Sequence, residues 1–122
     1  MLAGRYSLLD QSAGLEFLPF IQEQSAELIL GGVYGSGILA AGSKSGALYD
    51  YKPADKDIIC QVRQIEKHCD EHLISIGAAA LNFVLAHQAT GAVLCGLQSV
   101  DHVRETLAWS QTKIPQAFWD AI

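Results

Sequence analysis

Between residues 54 and 73 the apolar side chains Ile58, Val62, Ile65, Cys69 and Leu73 recur every three or four positions, with Lys56, Arg63, Glu66 and Lys67 between them. That spacing predicts a helix with one buried face. Residues 77–87 predict a second helix, alanine-rich and apolar nearly all round, and therefore buried. Ser99 is a good N-cap for a third helix over residues 100–110. A last helical piece, 116–122, follows Pro115 and contains Phe118 and Trp119. Earlier, residues 13–24 set Leu15, Phe17, Leu18 and Ile21 at helical spacing around Pro19. Proline removes a hydrogen bond anywhere beyond the first turn, so this helix should start late or bend.

Three short apolar runs have a different rhythm: residues 2–9, 27–33 and 92–96. Runs of this length, bounded by glycine or turn residues, predict buried parallel strands. Residues 34–54 carry Gly35, Gly37, Gly42, Gly46 and Pro53 and read as a long loop, which inside a compact domain is usually functional. Strands and helices alternate, so the fold class is α/β with a parallel sheet. Three strands make a thin sheet. One domain spanning residues 1–122, forming part of a larger barrel, is a more natural reading than a freestanding domain.

Half the residues are apolar and only 17% are charged, few for a domain that must cover its whole surface. Some faces are therefore expected to be buried against the rest of a barrel or another copy. A net charge of -5 and the lack of a basic stripe argue against nucleic acid as a partner. No apolar run reaches the roughly 18 to 20 residues of a membrane span. The nearest, residues 74–86, is interrupted by Asn82. The first residues read as neither a signal nor a transit peptide. Cys60, Cys69 and Cys95 are odd in number and lack a disulfide rhythm, so reduced thiols in the cytoplasm are expected.

Cys60, His68, Cys69 and His72 suggest a metal site, but the two cysteines are nine positions apart on one helix. That is roughly 13 Å at the helical rise, too far for one tetrahedral centre, so no metal is expected. Two strand exits are better candidates. Tyr34, Gly35, Ser36 and Gly37 follow the second strand; glycine there lets backbone amides approach a phosphate, and Ser36 adds a hydroxyl. An ordinary glycine-rich turn is the plainer alternative. Gly96, Leu97, Gln98 and Ser99 lead from the third strand into a helix N-terminus, a natural phosphate seat, although Ser99 could simply cap its helix.

Several segments together resemble a known family. Gly31-Gly32-Val33-Tyr34-Gly35-Ser36-Gly37-Ile38-Leu39-Ala40 resembles the strand-seven exit of aldo/keto reductases, and residues 93–107 are similar to their strand-eight segment. Gly4-Arg5-Tyr6-Ser7-Leu8-Leu9-Asp10-Gln11 resembles strand six. Ala79-Ala80-Leu81-Asn82-Phe83-Val84-Leu85 resembles the helix before strand eight. The nearest likeness is to the galactose, fucose and pyridoxal dehydrogenases of that family.

The resemblance implies units six to eight of a (β/α)8 TIM barrel and an oxidoreductase using NAD or NADP on a sugar or a small aldehyde or alcohol. It assigns cofactor contacts to Tyr34, Gly35, Ser36, Gly37, Gly96, Gln98, Ser99, His102, Glu105 and Thr106. The subfamily's usual Asn is replaced by Gly35, and Thr106 stands where Asn is usual. Gln98 stands where Arg often meets a 2′-phosphate; an uncharged amide suits a ribose hydroxyl better, which favours NAD. The family's catalytic Asp, Tyr, Lys and His lie on earlier strands and match nothing here, so the chain alone should not turn over. The alternative is a catalytically inactive nucleotide-binding or scaffolding module.

Overall fold

A computed structural model describes residues 2–44 and 46–122. In chain order it has β1 (Leu2–Arg5), a 3-10 turn (Ser12–Gly14), α1 (Phe17–Glu23), β2 (Leu28–Gly31) and α2 (Ile38–Ala41). There follow β3 (Leu48–Tyr49), β4 (Lys52–Pro53), α3 (Lys56–Glu71), α4 (Ile76–Leu85), β5 (Thr90–Val93), α5 (Val100–Ser110) and α6 (Gln116–Ala121). Strands β1, β2 and β5 form a parallel sheet in that order, with β2 central; β3 and β4 form a separate antiparallel hairpin.

Alternation along β2 explains the two sheet faces. Leu28 and Leu30 are fully buried, each contributing roughly 1.5–3 kcal/mol by leaving water. Opposite Leu30, Gly4 is close enough to the Leu30 and Phe17 side chains that a Cβ there would just touch them. On the other face Ala3, Ile29 and Ala92 stand in register, and Ala3 and Ala92 are exposed. One apolar face is thus open, and β1 and β5 are edge strands.

Helix α4 is the keystone of the buried side. Gly77, Ala78, Ala79, Ala80, Leu81 and Val84 are all buried, and residues of α4 belong to both apolar clusters of the core. Small side chains let neighbouring elements approach it closely. Three helices start on side-chain caps: Asp55, Ser75 and Ser99 accept the amides of Ile58, Ala78 and His102. Helix α1 does begin late, which leaves Pro19 within its first turn.

Several boundaries differ from the sequence reading. Strand β5 spans Thr90–Val93 instead of 92–96, and its pairing with β2 shifts register between Leu28 and Ile29. Residues 34–54 are not one loop but hold α2 and the β3–β4 hairpin. Leu73 does not join the buried face of α3 and is 95% exposed. The helix ends at Glu71, and Leu73 takes φ 57° in a terminating turn. There the Ile74 amide donates to Cys69 O at 2.9 Å and the Leu73 amide to Asp70 O at 3.2 Å. Cys69 is buried in the core, whereas Cys60 is exposed. Among the described residues, no helix is long and apolar enough to cross a membrane.

Candidate functional site

The chain leaves β2 through a left-handed turn. Gly35, Ser36 and Gly37 have φ of 54°, 61° and 98°, and Gly37 is the N-cap of α2. Glycine adopts these values without steric penalty; Ser36 needs a compensating contact. Its Oγ accepts the Tyr51 amide at 2.9 Å, which leaves the hydroxyl proton free to donate elsewhere.

Tyr51 belongs to the two-residue turn of the β3–β4 hairpin, where Asp50 and Tyr51 have φ of 52° and 62°. Such a turn suits the twist of its strands but normally selects Asn-Gly. Asp50 Oδ1 in turn accepts from Arg5 Nη1 at 3.1 Å, and that hydrogen bond raises the guanidinium pKa further. Past α2, Glu66 on α3 grips the chain twice: its carboxylate accepts the Ser43 amide at 3.0 Å and the Ser43 hydroxyl at 2.6 Å. Gly42, with φ 88°, lies so close that a Cβ there would collide with this carboxylate.

The second strand exit is built differently. Leu94 extends the ladder by donating to Leu30 O at 2.9 Å, and then Gly96, Leu97, Gln98 and Ser99 run exposed into α5. Ser99 Oγ accepts the His102 amide at 3.1 Å, and the Gln98 amide donates to His102 Nδ1 at 3.3 Å. Helix α5 buries none of its residues fully. Two contacts with α4 hold it. Asn82 Nδ2 donates to Trp109 O and to Ala78 O, both at 2.8 Å. The Trp109 ring lies over Gly77, where any Cβ would strike it.

Trp109 therefore faces inward from α5, packed on α4 and edge-on to Tyr34 with ring centres 5.8 Å apart. Only a glycine at position 77 makes room for it. Trp119, by contrast, packs on Phe83 and Phe118.

Between the two exits lies a cleft of about 620 Å³. Tyr34, Gly35, Ser36, Gly37, Gly96, Gln98, His102, Glu105 and Thr106 line it, all singled out in the sequence. Ser99 does not line it; its Oγ accepts the His102 amide as the cap of α5. The amides of both loops are less available than their glycines suggest. Gly35 donates to Gly32 O, Gly37 to Tyr34 O and Gln98 to His102, because the tight turns use these groups to hold themselves.

The structure adds lining residues that the motifs did not reveal, among them Lys44, Tyr51, Cys95 and Trp109. Among the described residues, Lys44 is the single Lys or Arg of the cleft and Glu105 its single carboxylate. Lys44 lies past the short helix α2, in a stretch read as irregular loop, so no periodicity marked it. Burial pushes the Tyr34 phenol up to about 12. Its hydroxyl is buried without a hydrogen-bond partner among the described residues; the Thr106 and Cys95 side chains are close enough to perturb it but not aligned to bond. Burial also raises the Cys95 thiol. A second cleft, about 450 Å³, lies among Tyr6, Phe83, His87 and Trp119; among the described residues it has no Lys or Arg and no strand-exit glycine, so it suits an anionic ligand poorly.

Comparison with known proteins matches this arrangement to one family. The model of the aldo/keto reductase family matches residues 1–122. Pyridoxal 4-dehydrogenase of Microbacterium luteolum is 39% identical over 122 residues, covering 100% of this chain and 36% of that protein. D-threo-aldose 1-dehydrogenase of Pseudomonas sp is 28% identical over 120 residues, covering 98% of this chain and 36% of that protein. Among solved structures, the apo form of aldo-keto reductase AKR11C1 from Bacillus halodurans superposes with a TM-score of 0.73 at 21% identity, over 95% of this chain and 39% of that one. Glycerol dehydrogenase AKR11B4 from Gluconobacter oxydans gives 0.72 at 16% identity, over 98% and 39%. The three-stranded parallel sheet is thus part of a TIM barrel, and the chain spans little more than a third of the relatives it matches. It belongs to the aldo/keto reductase family.

Proposed function

We propose that this chain forms the pyrophosphate and adenosine end of the cofactor cleft in a nicotinamide-dependent oxidoreductase. The observation that carries the reading is convergence: two loops leaving adjacent parallel strands line one cleft, on the strand-exit side where TIM barrels bind ligands. Ser36 retains a hydroxyl proton for a phosphate oxygen. Thr106 supplies a further polar group inside the cleft. Glu105, on the α5 side, meets the adenosine. Gln98 offers an uncharged amide to the ribose, which favours NAD over NADP. When bound, the cofactor supplies hydride transfer; this chain binds and orients it.

The substrate is a sugar or a small aldehyde or alcohol, a range that includes the pyridoxal and the aldose in the names of the two relatives. No residue of this chain matches the family's proton-transfer group. Turnover therefore depends on strands that this chain does not contain, and the chain by itself is inactive, in the cytoplasm as elsewhere.

Gly96 gives the cleanest test. It lines the cleft, and a Cβ there meets nothing within 4 Å. Gly96→Val should therefore fold normally yet crowd the bound dinucleotide. Titrating the whole protein with NADH by fluorescence should show affinity lowered about ten-fold, near 1.4 kcal/mol, with the urea midpoint unchanged. Equal affinity in the variant and the parent protein would remove this loop from the cofactor site.

A further inference from the structure

The Glu66 grip on Ser43 has no part in the barrel core, and Lys44 makes no ion pair among the described residues. We propose that Lys44 is a pyrophosphate-binding residue of the cleft and that Glu66, from the outer helix α3, is the positioning residue that holds it there. The inference rests on the cleft being a dinucleotide site, and goes beyond that reading by assigning a cation and a remote clamp.

The argument begins with charge. A pyrophosphate bridge is doubly anionic, while among the described residues the cleft has one carboxylate, Glu105, and one Lys or Arg, Lys44. Glu105 lies on α5, on the far side of the cleft from the glycine turn. Lys44 lies in the same segment as Ser36 and Gly37, the residues that follow β2. Its place is therefore the phosphate end and not the adenosine end.

Position comes next. A lysine on a free loop would lose much of its attraction to the entropy of its backbone and its four-carbon stem. Here the residue before it is fixed at both amide and hydroxyl by a single carboxylate, at 3.0 and 2.6 Å. Gly42 allows that approach, since a side chain there would displace Glu66. The clamp crosses from α3 to the end of α2, and Ala40 and Ala41 of α2 also line the cleft. Loosening it would let the wall carrying Lys44 drift from the ligand.

The test is a double-mutant cycle in the whole protein, read by NADH and NADPH titration at low and high salt. Lys44→Gln should weaken NADH and NADPH equally, by about five-fold at low ionic strength, as for one screened ion pair. It should also flatten the salt dependence of binding. Glu66→Gln should weaken NADH by about two- to three-fold alone and have little further effect in the Lys44→Gln background, because a positioning residue acts through its target. If the parent protein binds NADH and Lys44→Gln leaves affinity and salt dependence unchanged, the cation assignment fails while the cleft reading stands. Weakening confined to NADPH overturns the pyrophosphate assignment in favour of the 2′-phosphate. A Glu66→Gln effect that persists undiminished in the double variant removes Glu66 as a positioning residue. Failure of the parent protein to bind either dinucleotide removes the cleft reading itself, and this inference with it.

Discussion

The two rims of the cleft are built on opposite plans. The rim after β2 is pinned at several points: Arg5 to Asp50, Ser36 to Tyr51, and Glu66 to Ser43 twice. The rim after β5 is exposed from Gly96 to Ser99, and the helix behind it buries nothing fully. Its placement comes from one amide, Asn82, and one close contact, Trp109 over Gly77. The first rim is held by side-chain hydrogen bonds that reach it from β1, the hairpin and α3, together with its backbone conformation; the second is held through the contacts of α5 with α4. Changes near the ligand should therefore disturb the first, and changes behind α5 the second.

The largest effect expected on this contrast comes from Gly77→Ala. The added methyl group would occupy the space of the Trp109 ring, and overpacking of this kind costs about 1–3 kcal/mol. Urea unfolding should show that loss, and the near-ultraviolet circular dichroism of Trp109 should change while the β2 rim keeps its hydrogen bonds. Unchanged stability would mean that α5 is held some other way.

A smaller effect, of opposite sign, should come from Tyr51→Gly. Tyr51 is 91% exposed at φ 62°, so glycine relieves backbone strain without losing core. The amide that Ser36 accepts remains. A gain of about 0.5–1 kcal/mol is expected, read as a higher thermal midpoint. A loss would show that the Tyr51 ring supports the pinned rim.

The smallest effect concerns Tyr34, where the rims meet. Its phenol ionises near 12 in the folded chain against an ordinary 10, so the folded state keeps a proton that the unfolded state releases. This contribution is present below pH 10 and is lost as pH rises from 10 to 12. Tyr34→Phe should leave neutral-pH stability within about 0.5 kcal/mol, because the hydroxyl has no partner to lose. It should also flatten the alkaline decline. A steep decline unchanged in Tyr34→Phe would assign it to other groups, the buried Cys69 thiol, raised to about 11, being the first to test.

Much of the fold was legible because the long helices state their own limits. Ser99 marks one helix start, and the spacing of Val62, Ile65 and Cys69 marks a buried face; the caps Asp55 and Ser75 emerge only in the structure. Helix α2 and the β3–β4 hairpin were not legible. Elements of two to four residues show no periodicity, and the hairpin turn is Asp-Tyr where Asn-Gly would have announced it. The inward face of Trp109 depends on a residue 32 positions earlier, which no local pattern can report. Lys44 went unseen because it lies past a four-residue helix, in a stretch without periodicity. The glycine turns were found, but their amides are occupied by hydrogen bonds that exist only once the turns have closed.

The fit of Trp109 over Gly77 also constrains how this sequence can change through descent. A methyl group at position 77 has no room while an indole covers it. Enlargement there becomes tolerable only after residue 109 has shrunk, for example to phenylalanine. The reverse order passes through an overpacked intermediate. Substitution at these two sites is therefore coupled: the first order passes through a cavity and the second through a clash, and each intermediate is less stable than the Gly–Trp pairing.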